Sequence, residues 1–170
     1  MNRQEIVAMI EKNALETSLR DDICARSTLY GLKTYFDFIP EEMITAAMSL
    51  VGGCGRANGS CGAYVAGMLA IGAKFNPTIE EELANPEKLN ELRQRGFEKL
   101  LEYRDTFYQE YRTTLCPEIH KQLFGRSFDL MDDKEDAEYL NVPGHVEKCS
   151  TVVKNAARMA AEIMLEDEAY

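Results

Sequence analysis

Residues 52–63 read GGCGRANGSCGA, and the interpretation of the whole chain starts from this stretch. Four glycines between Gly52 and Ser60 predict a loop, because glycine adopts left-handed backbone angles freely and weakens helices and strands. Just after Cys61 comes a run of small and apolar residues, AYVAGMLAIGA at 63–73. The stretch therefore predicts a glycine-rich loop followed by a central small-residue helix that begins at Cys61.

Outward from this stretch, the chain reads as amphipathic helices separated by glycine or proline, and no segment alternates with the period of a strand. The first predicted helix runs from about Arg3 to Thr17, the second starts after Asp22, and the third runs from Pro40 to Gly52-Gly53. The fourth starts at Cys61, the fifth runs from about Glu87 to Leu115, the sixth runs from Cys116 to Gly125, and the seventh starts after Pro143. Residues 126–144 predict a polar wrap-around loop with a helical turn near 133–139, and the segments at Pro77 and Pro86 predict turns. We expect an all-α fold, with residues 1–170 in one single-domain helical bundle of about six to seven helices.

The composition excludes several kinds of partner. The chain has 170 residues, 45% of them hydrophobic and 28% charged, and a net charge of −10 at pH 7. An acidic surface repels nucleic-acid phosphates and anionic lipids. The apolar run after Cys61 is shorter than the ~20 residues that span a bilayer, and charged residues interrupt the N-terminal segment, as a signal peptide would not allow. We expect a cytoplasmic protein that neither binds nucleic acid nor inserts into a membrane.

The cysteines point to a chemical site. Their number is odd and their spacing irregular, which does not suit a disulfide framework in a reducing compartment. They are Cys24, Cys54, Cys61, Cys116 and Cys149. Buried packing is the default interpretation for any one cysteine, but five in one chain favour thiols kept for reactivity or for metal.

Cys61 has the most favourable position among them. At a helix start it would meet unpaired backbone N–H groups and the positive end of the helix dipole, and a glycine-rich loop can turn further N–H groups inward as an anion-binding nest. These groups, with Arg56 nearby, predict a thiolate at Cys61. Nucleotide binding is not predicted, because the loop lacks the phosphate-binding glycine motifs and no strand precedes it.

Two cysteine–histidine pairs have mirrored spacing. Cys116 and His120 are four residues apart, as are His145 and Cys149, so each pair would share one face of a helix. Two thiolates and two imidazoles suit zinc. Because Pro117 separates the first pair and Gly144 precedes the second, zinc stays an alternative to histidines that merely cap helices or lie at the surface.

Residues 59–67, GSCGAYVAG, resemble the signature of the C_GCAxxG_C_C family of redox-active proteins through Cys61-Gly62-Ala63 and Gly67. The other cysteines follow the order of that family, over about Asp22 to Leu165. Cys24 stands at the start of a helix, Cys116 precedes a Leu-Phe-Gly helix end, and Cys149 precedes an alanine-rich terminal helix.

The resemblance implies a redox or metal-binding protein of anaerobic prokaryotes, with an iron–sulfur centre as the expected cofactor. Four thiolates are what such clusters need, so Cys24, Cys61, Cys116 and Cys149 are the expected ligands. Cys54 departs from the four-cysteine pattern and is a further or alternative ligand.

The expected role is electron transfer with a protein partner, as a carrier, an accessory factor or an oxidoreductase. One alternative is a metal-free thiol–disulfide redox protein, in which Cys61 attacks and Cys54 resolves. A second alternative is a helical protein with a structural zinc site. The small-residue helix also permits a site at a homodimer interface.

Overall fold

The computed structural model describes residues 1–166, which form nine α-helices. They are α1 (Arg3–Asp21), α2 (Cys24–Lys33), α3 (Glu41–Ala46), α4 (Gly62–Phe75), α5 (Ile79–Ala84), α6 (Leu89–Tyr111), α7 (Cys116–Phe124), α8 (Asp133–Leu140) and α9 (His145–Met164). Single 3₁₀ turns occupy Ala47–Leu50 and Pro86–Lys88. Residues 1–166 contain no strand, although Ser60 and Leu115 form one isolated antiparallel bridge. The predicted all-α bundle is confirmed, and its helix number exceeds the prediction because of two short helices, α5 and α8.

Four helices form the centre of the bundle. Helices α1, α2, α4 and α9 pack on one another, and α6 lies against α4 and α9. Small residues allow close approach: a Cβ atom at Gly31 of α2 would lie 2.5 Å from the Cβ of Ala14 on α1. Helix α9 buries its alanine-rich face in this centre, because its apolar residues recur at helical spacing.

Helix α4 has the packing role that its small residues predict. Its residues Ala63, Ala66 and Ala70 are completely buried. At Gly67 a Cβ atom would lie 2.1 Å from the hydroxyl oxygen of Tyr103, a buried residue of α6. Glycine at position 67 is therefore what lets α6 pack on α4.

Helix ends differ from the predictions where capping residues decide them. Helix α1 continues four residues past Thr17, to Asp21, and ends at Asp22, which takes left-handed angles with φ 53°. The segment after Pro77 is a short helix rather than a turn, because Thr78 and Glu81 form a capping box at the start of α5. Helix α6 begins and ends inside its predicted limits, at Leu89 and Tyr111.

A second, smaller apolar cluster lies under the segment that connects α7 to α9. Its buried residues are Phe128, Leu130 and Tyr139, with Phe124 and Val142 packed against them. The helical turn predicted near 133–139 is confirmed as α8, and this helix packs on its own aromatic cluster. Within residues 1–166, no helix combines the length and the apolar character needed to cross a membrane.

Candidate functional site

Four of the five cysteines line one cavity of about 60 Å³ in the bundle. Cys24 and Cys116 are the first residues of α2 and α7, Cys61 is the N-cap residue of α4, and Cys149 lies in the second turn of α9. The polar and aromatic residues that share the cavity wall are Ser18, Asp22, Arg56, His120, Tyr139 and His145. The fold thus gathers cysteines that are up to 125 positions apart in the chain.

Backbone pairing brings Cys61 and Cys116 to the same place. The N–H of Cys61 donates to the carbonyl of Thr114 at 2.7 Å, and the N–H of Cys116 donates to the carbonyl of Gly59 at 2.9 Å. The two segments therefore run antiparallel just before α4 and α7 begin. The cysteine at the start of α4 and the cysteine at the start of α7 therefore lie side by side.

Gly62 makes room for the sulfur of Cys24. A Cβ atom at position 62 would lie 2.7 Å from Cys24 Sγ and 2.5 Å from the carbonyl oxygen of Leu50. At these distances a side chain at position 62 would collide with both atoms unless the backbone or the cysteine shifted. The Cys-Gly pair of the signature thus combines one cavity cysteine with the gap that a second one occupies.

The glycine-rich loop forms a left-handed turn. Five consecutive residues have positive φ angles between 58° and 79°: Gly52, Gly53, Cys54, Gly55 and Arg56. Left-handed angles cost a residue with a side chain ~1–2 kcal/mol, which explains the glycines and makes Cys54 and Arg56 strained positions. The turn directs the N–H of Gly52 to the sulfur of Cys24.

Two further sulfurs have side-chain partners. The hydroxyl of Tyr139 lies 3.2 Å from Cys149 Sγ, and His120 Nε2 lies 3.3 Å from Cys116 Sγ. The rings of His120 and Tyr139 stack with centroids 4.3 Å apart. The spacing of Cys116 and His120 therefore places them together, as helical periodicity predicts.

The second mirrored pair has a different arrangement. His145 Nε2 lies 2.8 Å from the carboxylate of Asp22, and its ring meets the edge of Tyr139 with centroids 4.2 Å apart. Asp22 ends α1 and His145 begins α9, so the contact joins two helix ends at the cavity wall.

Burial governs the acidity of the cavity thiols. It raises the pKa of Cys24 to about 12, and the backbone N–H groups of Gly52 and Ala25 oppose the rise. Burial also raises the pKa of Cys149 to about 12, against the hydrogen bond with Tyr139. The pKa of Cys116 is raised still further by burial and by the neighbouring thiols. Without a cation, these side chains are neutral at pH 7.

The prediction of a thiolate at Cys61 is wrong for the protein without a cation. Burial raises the pKa of Cys61 to about 11, although the N–H groups of Tyr64 and Ala63 lower it. The helix start thus acts as predicted, but desolvation outweighs it. Arg56 does not supply the missing positive charge, because its guanidinium forms an ion pair with Asp136 of α8.

Cys54 lies apart from the other four cysteines. It is half-buried in the left-handed turn, and its thiol donates to the carbonyl of Ser60 at 3.6 Å. It does not line the cavity, yet its charge would raise the pKa of Cys61. Cys54 is therefore a neighbour of the site rather than part of its wall.

The residues fit a sulfur-ligated centre in their chemistry. Thiolates are the ligands of iron–sulfur clusters, and imidazole and thiolate suit zinc. Within residues 1–166, the side chains of histidine, cysteine, aspartate and glutamate do not form any group of three or more that is close enough together to hold a metal ion. The four thiols surround a space instead of meeting at a point.

Sequence patterns did not reveal Tyr139 or Asp22 as parts of the site. Tyr139 lies at the end of the predicted helical turn near 133–139, and its role depends on how α8 packs over the cavity. Asp22 reads as a charge before a helix. Only the fold brings it to His145, 123 residues away.

Comparison with known proteins shows the family to which the chain belongs. The sequence profile of the family described as "putative redox-active protein (C_GCAxxG_C_C)" matches residues 23–163. Neither the curated proteins nor the solved structures contain a match. The matched region includes all four cavity cysteines and residues 59–67, which resemble the family signature, so the chain belongs to the C_GCAxxG_C_C family.

Proposed function

We propose that the protein binds an iron–sulfur or related metal–thiolate redox centre through Cys24, Cys61, Cys116 and Cys149, and exchanges electrons with a protein partner in the cytoplasm. The observation that carries this proposal is that the four cysteines of the family pattern line one cavity. Cys54 is left outside the ligand set because it does not line that cavity.

The raised thiol pKa values favour a cation in the cavity. Burying several thiolates together without positive charge is unfavourable, so the thiols keep their protons. A soft metal displaces those protons and neutralises the charge. Neutral buried thiols are, in contrast, poor nucleophiles, which disfavours thiol–disulfide exchange by Cys61.

Backbone N–H groups support negative charge on two of the sulfurs. Cys24 receives N–H groups from Gly52 and Ala25, and Cys61 receives them from Ala63 and Tyr64. Hydrogen bonds to ligand sulfurs favour the more negative, reduced state and so raise the reduction potential. An iron–sulfur centre, when bound, supplies reversible electron uptake. The chain holds the sulfurs, donates N–H groups to them and shields them from water.

Anaerobic purification of the protein tests the proposal. Iron, acid-labile sulfide and zinc are measured per chain, and the visible spectrum is recorded before and after reduction with dithionite. We expect iron and sulfide in fixed ratio to protein and a visible absorption that dithionite bleaches reversibly.

Two other outcomes would contradict the proposal. A colourless, metal-free protein that exchanges disulfides would establish a thiol redox protein. Stoichiometric zinc without sulfide would establish a structural zinc site.

A further inference from the structure

We propose that Tyr139 is a positioning residue of the thiol site, whose hydroxyl donates a hydrogen bond to the sulfur of Cys149 and holds that sulfur at the cavity. The redox consequence of this contact rests on the proposed function, whereas the contact itself does not.

Within residues 1–166, the hydrogen-bonding partner of the buried Tyr139 hydroxyl is the sulfur of Cys149. Tyr139 is 8% exposed, and its hydroxyl oxygen lies 3.2 Å from Cys149 Sγ. Either group donates while Cys149 is a neutral thiol. A thiolate has no hydrogen, so in a metal–thiolate state Tyr139 is the donor.

The ring of Tyr139 is held from several sides. His120 stacks on it with centroids 4.3 Å apart, and the ring of His145 lies at 75° to it with centroids 4.2 Å apart. Phe128 packs against it at 5.5 Å. Since His120 in turn contacts Cys116 Sγ, the two rings link the sulfurs of Cys116 and Cys149.

Helix α8 carries Tyr139 over the cavity and is fastened to the glycine-rich loop. Asp136, three residues before Tyr139, pairs with Arg56. Just before α8, the side-chain carboxylate of Asp129 accepts a hydrogen bond from Asn58 Nδ2 at 2.6 Å, and the N–H of Leu130 donates to the side-chain oxygen Oδ1 of Asn58 at 3.0 Å. The loop that supplies N–H to Cys24 thus also fixes the position of Tyr139.

The four cavity sulfurs therefore have different hydrogen-bonding partners. Cys24 and Cys61 have backbone N–H groups, whereas Cys149 has a phenol and Cys116 an imidazole. A side-chain donor can be removed by substitution without breaking the backbone. Tyr139→Phe removes the hydroxyl and keeps the ring between the two histidines.

The first measurement uses the metal-free protein, so it does not depend on the proposed function. The S–H stretching band of Cys149 is recorded by infrared spectroscopy and assigned by its loss in Cys149→Ala. We expect Tyr139→Phe to shift this band. The matched control is Tyr111→Phe, which removes a buried hydroxyl bonded to Asn155 at 2.9 Å and should leave the band in place. An unchanged band in Tyr139→Phe would overturn the inference.

The second measurement uses protein reconstituted anaerobically with iron and sulfide. Because a donor to sulfur favours the reduced state, we expect Tyr139→Phe to lower the midpoint potential. A tenfold change in the one-electron equilibrium corresponds to ~59 mV. Tyr111→Phe should keep the wild-type potential, and a potential equal to wild type in Tyr139→Phe would overturn the redox part. Absence of any bound centre would overturn the proposed function, while the infrared band alone would still decide the Tyr139 contact.

Discussion

At the scale of single residues, the two glycines of the signature each leave room for a group from another element. Gly62 faces the sulfur of Cys24, and Gly67 faces the hydroxyl of Tyr103. Gly72, in the same helix, would place a Cβ atom only 3.1 Å from the side-chain amide of Asn76, which can rotate away. A side chain is therefore excluded at Gly62 and Gly67 but tolerated at Gly72.

Substituting two of these glycines tests that difference. We expect Gly67→Ala to lower the free energy of unfolding by about 3 kcal/mol, because a methyl group overlaps the buried Tyr103 ring. Gly72→Ala, the matched control, should be neutral or stabilise the protein by up to ~1 kcal/mol, since alanine favours helix. Urea denaturation measures both, and equal effects of the two substitutions would contradict the packing described for α4.

Tyr111 makes a pH-dependent contribution to stability. Burial raises its pKa to about 12, although the hydrogen bond from Asn155 lowers it. The unfolded chain loses this proton near the ordinary pKa of 10, so the stabilisation is complete below pH 10 and is lost as the pH rises toward 12.

The linkage can be measured with Tyr111→Phe. Between pH 9 and pH 11 the wild type should lose about 1 kcal/mol more unfolding free energy than the variant. Denaturation of the metal-free protein at both pH values measures the difference. Parallel losses in the two proteins would show that Tyr111 titrates normally.

At the scale of elements, α8 is the part of the cavity wall that depends on few contacts. It packs on the small cluster of Phe128 and Leu130 and is fastened through Asp136 and Arg56. Short elements with few buried contacts open at lower free energy than the core. We therefore infer that reagents reach the cavity thiols by local opening of α8.

Asp136→Asn tests the opening of α8. Loss of the ion pair leaves Arg56 without its partner, which should lower the opening free energy by about 1.4 kcal/mol and accelerate the reaction of the cavity thiols with Ellman's reagent about tenfold. The control is Asp133→Asn, at an exposed position in the first turn of the same helix. Equal rates in the two variants would contradict this role of the ion pair.

Helices with strong periodicity and clear caps were predictable from sequence. The start of α7 at Cys116-Pro117 and its end at Gly125 are confirmed, because proline favours the first turn and glycine takes left-handed angles, here φ 82°. The end of α1 at Asp21 was not predicted, because the sequence does not mark Asp22 as the residue that takes left-handed angles and ends the helix.

The electrostatic state of the site was less predictable than its residues. A helix start at Cys61 predicts a lowered pKa, but the depth of burial depends on which elements cover it. The same holds for Asp22, whose contact with His145 spans 123 residues, and for Tyr139, whose contact with Cys149 depends on the packing of α8 over the cavity. Local patterns carry no information on such contacts.

At the scale of the whole molecule, the bundle converts scattered cysteines into one site. Cys24 and Cys61 come together through Gly62, Cys61 and Cys116 through paired backbone, and Cys149 through α9 and Tyr139. Each cysteine is delivered by a different helix. A centre held by all four would therefore tie α2, α4, α7 and α9 together, and metal binding should stabilise the whole fold.

We expect these four cysteines, without Cys54, to act as one set of ligands. The most direct test is the iron and sulfide content of five single Cys→Ser variants after anaerobic reconstitution, with the wild type beside them. We expect loss of most iron and sulfide in the variants of Cys24, Cys61, Cys116 and Cys149, and wild-type content in Cys54→Ser. Wild-type content in any of the four cavity variants, or its loss in Cys54→Ser, would contradict it.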